Sequence, residues 1–241
     1  MAFGNGQDDD LADDLSGDEE VEGPFDIEDF DDPSAAAIGR LDLGSVLIPL
    51  PEGGQVQVEL TPQGAPSAIW VVTPNGRFTI AAYAAPKTAG LWREVAAELA
   101  DSLRKDKAQV SIQDGKWGRE VVGTTPGGDP QAGMVRFIGV DGYRWMIRCV
   151  ANGPADKMDA LAAEARNAVA DTVVRRGKNP LPVRTPLPIE LPEAMANQLR
   201  AAAAQAAQQA QQQQAQQQQA GPARRSAQGS AMQQLRTITG G

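Results

Sequence analysis

All four tryptophans (Trp70, Trp92, Trp117, Trp145) and both tyrosines (Tyr83, Tyr143) of this 241-residue chain lie between Ile38 and Pro192. Large aromatic side chains carry much of the apolar surface that a core can bury, so their confinement limits where a core can form. The flanks hold no Trp or Tyr and almost no β-branched residue. They cannot bury enough apolar surface to offset the entropy of ordering them. The central stretch is long enough to bury one good core alone. The expected organisation is a disordered acidic tail over residues 1–37 and a single domain over 38–193. An Ala/Gln-rich helix or low-complexity segment follows over 194–220, then a second disordered tail over 221–241.

Charge follows the same division. Residues 1–32 hold 14 acidic residues and no basic one, whereas residues 194–241 hold four arginines and no acid. The domain between them is close to neutral, so the formal net charge of -9 belongs to the head. A neutral domain does not favour nucleic-acid binding, although the arginine-bearing end keeps it open. Within the head, Phe25, Ile27 and Phe30 are apolar groups set among carboxylates. Such a segment can order on a partner, stay solvated, or fold back onto its own domain.

The domain reads as α+β. Ser45–Leu50 is an apolar run whose end Pro49 and Pro51 push to an edge position. Val56, Val58 and Leu60 alternate, and Ala68–Val72 reads as a strand buried on both faces. Pro74-Asn75-Gly76 turns the chain into Arg77–Tyr83. Thr88–Lys107 reads as a helix capped by Thr88, with Leu91, Val95, Leu99 and Leu103 on one stripe. Two Asp-Gly pairs, Asp114-Gly115 and Asp141-Gly142, then predict two-residue hairpin loops. That register sets Ile112 opposite Trp117, Ile138 opposite Trp145 and Arg136 opposite Ile147. Thr124–Ala132 reads as a loop. A second helix starts near Pro154, carries Met158, Leu161, Ala165, Val169 and Val173, and stops at Gly177. Residues 178–193, with five prolines, read as an extended strap. The whole implies a mostly antiparallel sheet of about seven to eight strands with two packed helices.

Ile138–Trp145, Thr172–Gly177 and Leu187–Pro192 resemble an actinobacterial protein family of unknown function, over roughly residues 38–193. That resemblance implies no activity. The succession of elements is similar to the Mog1/PsbP-like α+β sandwich, which implies a binding scaffold more than an enzyme, although fold does not fix function.

With no histidine, Ser-His-Asp and Cys-His arrangements are impossible within the chain. One cysteine, Cys149, excludes an intramolecular disulfide and is a poor start for a zinc site. It reads as a buried thiol, a reactive one being the alternative. Asp8-Asp9-Asp10 lacks the spacing of a calcium loop, and Gly123–Asp129 lacks the ending of a phosphate loop. No metal or cofactor is expected. The candidate anion-binding residues are Arg119, Arg136, Arg144 and Arg148, since guanidinium suits carboxylate and phosphate. Their bland reading is snorkelling from an open sheet face or pairing with Glu120 and Asp141. Phe25, Ile27 and Phe30 are the candidate partner-binding residues.

The acidic start and the lack of an apolar run of ~20 residues point to a cytoplasmic protein without a transmembrane segment. Three functions remain: a non-enzymatic adaptor acting on another protein, a domain binding a small molecule or anion through its arginines, and a nucleic-acid-associated protein regulated by its head. Carboxylate-only catalysis needs no histidine and stays open.

Overall fold

The computed structural model describes residues 23–124 and 133–219. The head through residue 22, the connector 125–132 and residues 220–241 lie outside the described residues, as do the readings made of them. The chain divides into two compact units, one ending at Glu190 and the other beginning at Leu191.

The first unit opens with β1 (Phe25–Asp26), β2 (Arg40–Asp42), β3 (Val46–Pro49), β4 (Gln55–Leu60), β5 (Pro66–Thr73) and β6 (Gly76–Ala84). Helix α1 (Leu91–Lys105) follows, then β7 (Gln109–Gly115), β8 (Gly118–Thr124), β9 (Gly133–Asp141) and β10 (Trp145–Pro154). Helix α2 (Met158–Ala170) and β11 (Val173–Val174) complete it. The main sheet has seven antiparallel strands in the order β4-β5-β6-β10-β9-β8-β7. A small sheet has the order β1-β11-β3-β2. The fold is therefore α+β with a mostly antiparallel sheet, as the patterning predicts. The second unit holds α3 (Glu193–Gln219), over the stretch read as an Ala/Gln-rich helix or a low-complexity segment.

Alternation along β10 separates the two faces of the main sheet. Met146 joins Leu91, Trp92, Ala96 and Ala100 of α1 and Val121 of β8 in one buried cluster. Trp145, Ile147, Cys149 and Ala151 point the other way, toward the side covered by Met158, Leu161, Ala165 and Val169 of α2. Phe78, Ile80, Ile138 and Val71 are buried on that same side.

Both hairpins exist where Asp-Gly places them, but both turns are displaced by two residues. The first loop is Lys116-Trp117, so Ile112 faces Val121 and not Trp117. The second is Tyr143-Arg144, closed by Gly142 N–H donating to the Trp145 carbonyl at 2.9 Å. Ile138 therefore faces Cys149, and Arg136 faces Ala151. The glycines serve proximity here and not the turn. A Cβ on Gly142 would lie 2.2 Å from the Trp145 ring, and one on Gly115 would lie 2.4 Å from a Glu120 carboxylate oxygen. Arg144 takes the left-handed conformation instead, with φ of +64°.

Asp141, released from the turn, caps α1 from a distance. Its carboxylate accepts from the N–H groups of Gly90 and Trp92, both at 2.9 Å. The helix therefore begins at Leu91 behind Gly90, and Thr88 is not its cap. Helix α2 is shorter than its apolar stripe suggests. Strand β10 runs on through Pro154, and Val173 leaves the helix to pair with Leu47. β-branched Val173-Val174 suits a strand better than a final helical turn. Strand β5 is buried on one face only, through Ile69 and Val71. Strand β3 is flanked on both sides, with Pro49 at its last position where the ladder ends.

Residues 23–37, read as part of the tail, belong to the fold. Phe25 N–H donates to the Thr172 carbonyl at 2.9 Å and starts a parallel pair with β11. Phe25 and Phe30 pack edge to face at 5.8 Å, and with Ile27 they cover Ala36, Leu47 and Val173. Composition missed this because a short segment can order on a surface supplied by others. The proline-rich strap takes the place beside β6 that β5 vacates. Leu187 N–H donates to the Ala82 carbonyl, and Ala84 N–H to the Thr185 carbonyl.

Candidate functional site

The structure does not bring the four candidate arginines together. The sheet register sets Arg119 and Arg148 on the α1 face and Arg136 on the α2 face. Arg144 sits in a turn. Arg119 is exposed, and its carbonyl accepts the Trp92 indole N–H at 2.8 Å.

Arg136 is 5% exposed and pairs with Glu120, itself 2% exposed, at 2.8 Å. Arg166 of α2 donates to both oxygens of the same carboxylate at 2.8 and 2.7 Å. Burial pushes the Glu120 carboxyl up, but the hydrogen bonds and charges of Arg166 and Arg136 outweigh it and hold it below its ordinary value. The pairing with Glu120 expected as the bland reading is thus present for Arg136. Cys149 lies fully buried behind this cluster, and burial and the Glu120 charge push its thiol up, away from thiolate chemistry.

Arg148 has a different setting. It lines a cavity of about 340 Å³ between α1 and the sheet, with Val95, Leu99 and Ser102 on the helix side and Tyr83 and Met146 on the sheet side. Its guanidinium carbon lies 4.9 Å from the Tyr83 ring centre, a cation–π distance. Its Nε is buried and has no hydrogen-bond partner, and no carboxylate pairs with it among the described residues. At the rim, Arg184 of the strap grips Glu98 at 2.9 Å and Glu94 at 3.1 Å, so those charges are matched. Burial pushes the Tyr83 phenol up, opposed by the Arg148 charge. The cavity offers apolar walls and, on its sheet side, a cation that no carboxylate pairs with among the described residues.

Phe25, Ile27 and Phe30 are half-buried against their own domain, so they do not form a free linear motif. Beside them, Arg144, Arg175, Arg176 and Lys178 surround a small cleft of about 110 Å³ with Asp26 and Glu28. Arg175 pairs with Asp42 at 3.0 Å, and this hydrogen bond holds the Asp42 carboxyl below its usual range against the effect of burial. Burial and the nearby Arg144 charge lower the Arg176 guanidinium. Sequence reasoning named Arg148 but not Tyr83, Val95, Leu99, Ser102, Met146 or Arg184 as its neighbours. The helical spacing of Val95 and Leu99 was visible. The strap that delivers Arg184 carries no local signal for that contact.

Fold and cavities define a class: an α+β domain whose antiparallel sheet lies between two helices, with openings on both faces. The chain belongs to the family described as "Protein of unknown function (DUF3710)", whose model matches residues 23–198. No curated protein matches the sequence. Among solved structures, the chain is similar to the cyanobacterial PsbP (CyanoP) from Synechocystis sp. PCC 6803, at 9% identity and a TM-score of 0.35. That match covers 56% of this chain and 93% of the other. It is also similar to LpqN, involved in cell envelope biogenesis of Mycobacterium tuberculosis, at 14% identity and a TM-score of 0.30, covering 54% and 83%. Neither likeness bears on activity. Among the described residues no helix is long and apolar enough to cross a membrane.

Proposed function

We propose that this domain binds a small amphipathic anion in the cavity floored by Arg148, and that it acts by binding rather than by catalysis. The observation that carries this reading is the half-buried Arg148 guanidinium, which lines the cavity and has no hydrogen-bond partner at its Nε and no carboxylate paired with it among the described residues. A charge-assisted hydrogen bond from this guanidinium to a carboxylate, sulfonate or phosphate head contributes about 1.5–3 kcal/mol. The body of such a ligand would lie against Val95, Leu99 and Met146. A cavity of this size matches small-molecule sites with few polar anchors.

The adaptor reading rested on missing catalytic groups, segregated tail charge and the Phe25–Phe30 segment, and the packing of Phe25, Ile27 and Phe30 weakens only the last of these. Anilinonaphthalene sulfonate is itself an amphipathic anion and a direct probe. Its fluorescence should rise on the full chain and fall when decanoate competes. Arg148→Met should weaken both by roughly tenfold or more, the size of one charged hydrogen bond. Equal affinity in the variant, or no competition by decanoate, would sink the proposal.

A further inference from the structure

The small cleft beside β1 is built from three pieces of chain that are far apart in sequence. β1 ends at Asp26, β11 runs out into Arg175, Arg176 and Lys178, and the second hairpin lays its turn, Tyr143-Arg144, against them. The cleft measures about 110 Å³. Sites that enclose a whole small molecule run to roughly 300–1,000 Å³, so this one has room for a single compact group.

Its charges are unevenly matched. Arg175 is paired with Asp42. Asp26 is committed to the fold, since its carboxylate accepts the Trp145 indole N–H at 2.8 Å and the Glu28 N–H at 3.1 Å. Glu28 is exposed and forms no ion pair among the described residues. That leaves Arg144, Arg176 and Lys178, none of which pairs with a carboxylate among the described residues. The Arg176 guanidinium is held in place by backbone. Its Nε–H donates to the Arg144 carbonyl at 3.1 Å and its Nη1 to the Asn179 carbonyl at 3.0 Å. Its remaining N–H groups are therefore oriented in advance of any ligand. Burial and the Arg144 charge both lower this guanidinium. Two like charges are held close together, and an anion between them would offset their repulsion.

The backbone at Arg144 is a second, independent sign. Its φ of +64° lies in the left-handed region, which Gly and Asn adopt at least cost. The capping of α1 by Asp141 and the Trp145 ring beside Gly142 explain where the turn falls. They do not explain a guanidinium at its tip. Backbone strain beneath a charged side chain is a common arrangement at ligand clamps. Its neighbour Tyr143 is 58% exposed and gives the cleft a flat ring at its lip.

We propose that this cleft binds the phosphoryl group of a phosphate monoester, with Arg144, Arg176 and Lys178 on its oxygens and Tyr143 against the body attached to it. Three cations suit the three terminal oxygens of a phosphoryl group better than the two of a carboxylate. The cleft shares no lining residue with the Arg148 cavity, so the two sites stand or fall separately.

The test titrates the full chain with phenyl phosphate at low ionic strength, followed by phosphorus NMR and by calorimetry. Saturable binding is expected, with benzoate held at least tenfold more weakly. Arg144→Gly and Arg176→Gln should each weaken phenyl phosphate tenfold or more. Arg144→Gly keeps the carbonyl that anchors Arg176 and relieves the backbone, so the thermal midpoint should hold or rise while binding is lost. Glu28→Gln removes an exposed carboxylate from the rim and should tighten binding by about two- to fivefold. Arg148→Met should leave this binding unchanged, which separates a failure here from a failure of the Arg148 reading. No binding, benzoate held as tightly as phenyl phosphate, or full affinity in Arg144→Gly would overturn the proposal. So would binding seen only in the combined variant Asp8→Asn, Asp9→Asn, Asp10→Asn, Asp13→Asn and Asp14→Asn, because the acidic head would then own the cleft.

Discussion

Replacing Glu120 by Gln would remove one charge and no volume from the interior. The carboxylate accepts three hydrogen bonds from two guanidinium groups, and Gln could keep at most the two made to Oε2, without the charge, while turning its NH₂ toward the Arg166 Nε–H. Arg166, 31% exposed at its side chain, can turn toward water; Arg136, at 6%, cannot. Breaking a buried pair by removing one partner costs about 3–5 kcal/mol, because the other charge stays buried and unanswered. At about 2–4 °C per kcal/mol for a domain of this size, the thermal midpoint should fall by roughly 6–20 °C. Calorimetry on the full chain measures this directly. The double variant Glu120→Met with Arg136→Met removes both buried charges and should regain most of the loss, since apolar replacement of buried pairs is often neutral. A Glu120→Gln loss below about 1 kcal/mol, or a double variant no more stable than the single one, would show that the cluster is not a buried charge pair in energetic terms.

The same carboxyl predicts a pH dependence. Its folded value lies below the ordinary 4.5, so its stabilisation is complete above that value and is lost as pH falls through the lower folded one. Urea midpoints should therefore drop on acidification below about pH 4.5, and less steeply in Glu120→Gln. Asp141→Ala removes the acceptor for two N–H groups at the start of α1 and should cost about 0.5–2 kcal/mol in urea unfolding. Gly139→Ala should cost about 1–3 kcal/mol or more by the same measurement, because the new Cβ would fall 2.0 Å from the buried ring of Trp92. Cys149 should resist a water-soluble disulfide reagent in the folded protein and react once urea unfolds it.

Much of the architecture was legible because it rests on local pattern. The stripe of Leu91, Val95 and Leu99 marks α1, and alternation marks β4 and β6. The register of the hairpins was not legible. Asp-Gly favours a turn locally, but the chain uses Asp141 to cap α1 and gives the space beside Gly142 to the Trp145 ring. Those are tertiary demands, and they outweigh the conformational cost at Arg144. The boundary between head and domain was misplaced for the same kind of reason: folding back was one of three readings of Phe25, Ile27 and Phe30, and the surface they order on, Leu47 and Val173, is far away in sequence. Of the candidate arginines, residue type alone could not separate one matched by Glu120 from one left unmatched beside Tyr83.

The strap beside β6 also bears on how the molecule is made. Alternate residues of β6 bond to β10, while Ala82 and Ala84 between them bond to residues around Thr185 and Leu187 on the other side, so the middle of the sheet waits for nearly the last part of the first unit. On a ribosome, which delivers the chain from its N-terminus, β4 to β10 would emerge and pair while the outer side of β6 stayed open. A chain stopped before residue 184 would keep that unpaired edge at the centre of the sheet, where a second nascent chain could pair with it.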